Sequence, residues 1–190
     1  MKKLALASLL AALAAPALAH TGHGDTSGLM LGFLHPLTGA DHLGAMLAVG
    51  LWSGYALPRR PWAGAAAFLA AMLAGAAPGF AGLALPGAEA LITASVLLFG
   101  VLVIAARRDQ PAATSAATLA AIALFGSVHG YAHATEASGN ALAYVAGFLA
   151  ASAALHLAGI ALARSVARGR LAQLLAGSGV IAAGLLLVAG

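Results

Sequence analysis

Two short stretches hold most of the side chains capable of chemistry. In His35-Pro36-Leu37-Thr38-Gly39-Ala40-Asp41-His42 they are His35, Asp41 and His42; in Val128-His129-Gly130-Tyr131-Ala132-His133-Ala134-Thr135-Glu136 they are His129, His133 and Glu136. Imidazole and carboxylate without thiolate suit Ni²⁺, Co²⁺, Zn²⁺ or Fe²⁺ better than Cu⁺ or an iron–sulfur cluster, and the chain has no cysteine. On a helix turning ~100° per residue, His129, His133 and Glu136 fall within about 60° of one another. Histidines at i and i+4 then lie about 6 Å apart along the axis and can chelate one ion. The first stretch works differently. A regular helix separates His35 from His42 by roughly 10 Å, too far to share an ion. Pro36 and Gly39 permit an unwound turn that brings both imidazoles and Asp41 inward; without it, two sites in series are expected.

The elements that carry these groups are membrane helices. Of 190 residues, 62% are hydrophobic and only 7% charged, and the mean hydropathy is +0.98. Soluble domains carry about 25% charged residues, so a soluble globular domain, a disordered chain and a disulfide scaffold are excluded. The nine basic residues stand in short clusters beside apolar runs, which is a topology signal and not a nucleic-acid-binding face.

Residues 1–19 have the form of a cleavable signal peptide: Lys2-Lys3, an apolar run from Leu4 to Leu13, then Ala17-Leu18-Ala19. Residues 20–190 are expected to form a single all-α domain, a polytopic bundle of six transmembrane helices. The spans are Gly28–Leu57, Trp62–Leu83, Ala88–Ala106, Thr114–Ala134, Asn140–Ala163 and Leu171–Ala189. The first is overlong and is expected to break or kink between His35 and Gly39. Arg59-Arg60, Arg107-Arg108 and Arg164, Arg168 and Arg170 fall on alternate connections, so these face inward and both mature termini face outward. Six of the seven histidines then lie in the outward half. Gly28/Gly32, Gly50/Gly54, Gly75/Gly79 and Gly126/Gly130 have G-x-x-x-G spacing. This is read first as tight packing within one bundle and second as a surface between copies of a homo-oligomer.

The remaining polar groups have plainer readings. Glu89, at the start of the third span, suits a helix N-terminus. His156 in the fifth span serves as a ligand or merely hydrogen-bonds within the bundle, and His20 and His23 form a polar N-terminal end or a metal-capturing one. Ionisable groups inside spans are costly and mark function more often than architecture. The chain has no P-loop, so transport would be facilitated, ion-coupled or driven by a partner.

The two motifs, H-x₅-D-H (His35, Asp41, His42) and H-G-x-A-H-x-x-E (His129, Gly130, Ala132, His133, Glu136), resemble those of the HupE/UreJ family of nickel permeases, and the resemblance runs the whole chain. The second motif departs from the family pattern at Val128, where Phe is usual, and at Ala134, where Gly is usual; neither removes a ligand. The resemblance implies uptake of Ni²⁺, with Co²⁺ open, across the bacterial inner membrane, to supply hydrogenase or urease. It implies a multi-pass protein with periplasmic termini and no permanently bound cofactor, whose partners are the ion and the lipid bilayer and not nucleic acid. The residues also admit an intramembrane zinc hydrolase with Glu136 or Asp41 as base, a haem protein using His42 and His129, or a metal-binding accessory subunit. Ser127 lacks the G-x-S-x-G setting of a nucleophile.

Overall fold

A computed structural model of the protein describes residues 28–189. The expected signal peptide at residues 1–19 lies outside the described residues, as do His20 and His23. Every regular element among the described residues is a helix: α1 (Gly28–Thr38), α2 (Ala40–Ala56), α3 (Ala63–Phe80), α4 (Ala88–Ala105), α5 (Ala112–Thr135), α6 (Ala141–Ser165) and α7 (Arg170–Ala189). The five from α3 to α7 are long and apolar enough to cross a membrane, so the chain is a multi-pass membrane protein built as a helix bundle. Their bounds differ from the expected spans by a few residues at most.

The overlong first span is two helices. α1 carries Pro36 inside it, and the chain then steps through Gly39, which is extended at φ −82° and ψ 114°, before α2 begins. A Cβ on Gly39 would stand 2.9 Å from Asp41 Oδ1 and 3.3 Å from His42 Nδ1. Glycine is therefore the residue that lets the Asp41–His42 pair fold back over the break.

α6 packs along both α1 and α2, α3 pairs with α5, and α4 pairs with α7. Each expected G-x-x-x-G pair faces a segment of the same chain. Gly28 and Gly32 lie against Asn140 and Tyr144, and Gly50 and Gly54 against His156 and Ala163. Gly75 and Gly79 meet Ser127 and Tyr131, while Gly126 and Gly130 meet Phe68 and Met72. A Cβ at Gly75 or Gly130 would run into a carbonyl oxygen of the opposing helix, so helix packing within the bundle accounts for the motif. Met46, Val49, Trp52, Phe68, Met72, Val96, Phe99 and Phe148 fill the centre. Leu124, Leu142, Leu157, Leu171 and Leu186 are exposed around the outside, as suits a surface whose solvent is hydrocarbon.

The arginines gather at one end. Arg59, Arg60 and Arg108 line one cavity, and Arg107, Arg108, Arg168 and Arg170 line its neighbour. Gln173 stitches this end together by donating to the carbonyls of Val103 (2.7 Å) and Ala106 (2.9 Å). α5 starts here and runs for 24 residues, about 36 Å at 1.5 Å per residue, to deliver Glu136 at the opposite end. Glu89 is exposed in the first turn of α4, where a carboxylate complements the helix dipole.

Candidate metal site

The break at Gly39 and the pairing of helices bring the two histidine motifs into one cluster. The His35 and His42 rings lie 5.4 Å apart between centroids, which the unwound turn permits and a regular helix does not. His133 of α5 enters between them, 4.8 Å from His35 and 4.6 Å from His42. His35, His42 and His133 each offer a ring nitrogen, and these three nitrogens all lie within 4.8 Å of one another. His129, one turn deeper on α5, sits 4.7 Å from His42.

The rim is polar and partly open. His35 Nε2 donates to Glu136 Oε2 at 2.9 Å, with the two side chains 29% and 49% exposed. That hydrogen bond holds the Glu136 carboxyl below its ordinary range. Below the rim the site closes: His42 is buried, and His129 and His133 have no exposure at all.

Hydrogen bonding sets the tautomers. His42 Nδ1 donates to Asp41 Oδ1 at 2.8 Å, and the same oxygen also accepts from the His42 backbone N–H at 2.7 Å. The His42 lone pair is therefore on Nε2, a buried atom with no partner. Ser95 of α4 donates its hydroxyl proton to the Ile92 carbonyl at 2.6 Å. Its oxygen can only accept from His129 Nε2, 3.1 Å away, which leaves the His129 lone pair on Nδ1, again without a partner. His133 makes no hydrogen bond through either nitrogen. It is held by stacking on Phe148, 4.5 Å between centroids and 5° from parallel. Buried polar atoms are nearly always hydrogen-bonded. Three neighbouring imidazoles with bare nitrogens form a set suited to a shared electrophile, and a ring whose other nitrogen is anchored by a carboxylate or hydroxyl is oriented as metal-ligating histidines are.

The family model described as HupE / UreJ protein matches residues 7–187. The chain belongs to the HupE/UreJ family. It is also 38% identical over 195 residues to Protein HupE of Rhizobium leguminosarum bv. viciae, with all of both chains covered. No solved structure matches this HupE/UreJ chain.

Both departures from the family pattern are accommodated in this HupE/UreJ protein. Val128 is buried beside Ile92 and Ala132. The Ala134 methyl lies where a side chain on Gly79 would have to stand, and α5 continues unbroken to Thr135. All six expected site residues come together: Glu136 and His35 at the rim, His133 and His42 beneath, Asp41 behind His42, and His129 innermost. Ser95, Phe148 and Phe68, whose ring centroid lies 5.3 Å from that of His129, escaped sequence reasoning. Ser95 had a signal, a hydroxyl in the middle of an apolar span; the two phenylalanines had none, since nothing separates them from core residues until their neighbours are known.

Proposed function

We propose that the protein is a membrane permease that takes up a divalent transition-metal ion, Ni²⁺ first and Co²⁺ second, through the His/Asp/Glu cluster. The observation that carries this reading is the convergence of His35, His42 and His133 nitrogens at the end of the bundle away from the arginines. An ion held at about 2.1 Å from each nitrogen would draw the three, now within 4.8 Å of one another, closer together. Glu136 and His35 receive the ion at the open rim, and Asp41 keeps the His42 lone pair aimed at it.

In this reading α1 and α2 together make the first of six spans, the arginine end faces inward, and both mature termini are periplasmic in the bacterial inner membrane. The membership supports transport over catalysis, and Ser127 is not placed as a nucleophile, since its hydroxyl donates to the Leu124 carbonyl at 2.6 Å.

The test is metal uptake by a nickel-uptake-deficient host expressing the full chain, with nickel, cobalt and zinc compared at trace concentration. Nickel accumulation that is lost in His42→Ala and His129→Ala is expected; accumulation unchanged in both variants overturns the reading. For topology, single cysteines at Arg60 and Ser138 should label from opposite sides, and labelling from one side removes the six-span arrangement.

A further inference from the structure

One more buried histidine lies inward of the cluster. His156 is the sixteenth of the 25 residues of α6, more than halfway from the rim to the arginine end, and it is fully buried. Its Nδ1 donates to the Ser152 carbonyl of its own helix at 2.5 Å. The lone pair is therefore on Nε2, which has no partner. The Ser152 hydroxyl, one helical turn away, has none either.

This is the arrangement already seen twice in the cluster. In His42, His129 and His156 alike, one ring nitrogen is anchored to an oxygen acceptor and the other is buried and bare. A purely architectural histidine would use its second nitrogen too, because an unsatisfied buried acceptor is destabilising. Phe68 of α3 connects the two levels: its ring centroid is 5.3 Å from that of His129 and 5.0 Å from that of His156.

We propose that His156 Nε2 is a second ion-accepting position, on the inner side of Phe68, that receives a divalent transition-metal ion released by His129. The transfer needs no proton movement, since both accepting nitrogens already carry lone pairs. It exchanges one nitrogen–metal bond for another between two imidazoles that both lie beside the Phe68 ring. This rests on the proposed uptake function and adds an inner station to its path.

The absence of cysteine gives a direct probe. His156→Cys in the full-length purified protein, titrated with Co²⁺ alone, should develop a thiolate-to-cobalt charge-transfer absorption beside the d–d bands of cobalt held at the outer histidines. His156→Ala should keep those outer bands and a half-saturating external concentration within twofold of wild type, while its maximal uptake rate falls at least tenfold. A structural role alone would instead lower uptake only in proportion to the folded protein recovered. Outer bands without charge transfer in His156→Cys, or wild-type uptake by His156→Ala, overturn the inner station and leave the outer site standing. Absence of d–d bands in the wild type itself overturns the outer site, and the inner one with it. If His156→Ala alone loses the outer bands, the cysteine variant decides.

Discussion

Asp41 and His42 are adjacent in sequence, yet their side chains meet: the carboxylate accepts from His42 Nδ1 at 2.8 Å, while His42 Nε2 is unpartnered in a ring that lies beside those of His133 and His129. Asp41 →Asn keeps an oxygen acceptor but removes the charge that fixes the tautomer. Loss of such an orienting partner typically lowers metal affinity by about 10- to 100-fold. Equilibrium nickel binding to the purified variant should show a fall in that range, with the chain still folded. Unchanged affinity would mean that the pair is architectural.

Gly39→Ala tests the break. The new methyl would approach Asp41 Oδ1 and His42 Nδ1 at 2.9 and 3.3 Å, so the pair must shift, although the backbone angles at residue 39 suit alanine as well as glycine. Thermal stability should change by less than about 1 kcal/mol, within the range of ordinary substitutions, while nickel affinity falls several-fold. A variant with native affinity would show that the pair tolerates displacement.

His133→Phe separates stability from function. The imidazole is buried with both nitrogens unpaired and is stacked on Phe148. A phenyl ring can keep the stacking and removes the unsatisfied atoms, each of which costs about 1–3 kcal/mol. The variant should unfold at a higher temperature than wild type and take up less than a tenth as much nickel. A destabilised variant would mean that the site has no room for the larger ring or that His133 has a stabilising partner.

Protons should compete with the ion. An imidazole binds metal only through a lone pair, and an ordinary histidine titrates near ~6.5. Initial nickel uptake at fixed free metal and clamped membrane potential should therefore be high at pH 7–8. It should fall as the external pH is lowered toward about 5. A flat profile would remove the histidines from the entry path.

The sequence by itself determined the membrane helices, the one end of the bundle that the arginines share and the identity of the six candidate ligands. Those follow from local quantities: runs long enough to span hydrocarbon, arginines on alternate connections, and polar groups too costly to keep in a span without use. It also marked Gly39 as the weak point of the first span, because Pro36 and Gly39 unsettle a helix wherever it packs. Only the tertiary structure decided that His35, His42 and His133 form one cluster and not two sites in series. That depends on α1 and α2 packing along α6 while α5 pairs with α3, contacts between residues from about 50 to about 110 positions apart that no local pattern encodes. The same holds for the lone pairs. Which nitrogen of His129 is bare depends on Ser95, and which nitrogen of His156 is bare depends on where its ring comes to rest against Ser152, so the direction in which each imidazole can bind is a property of the packed bundle.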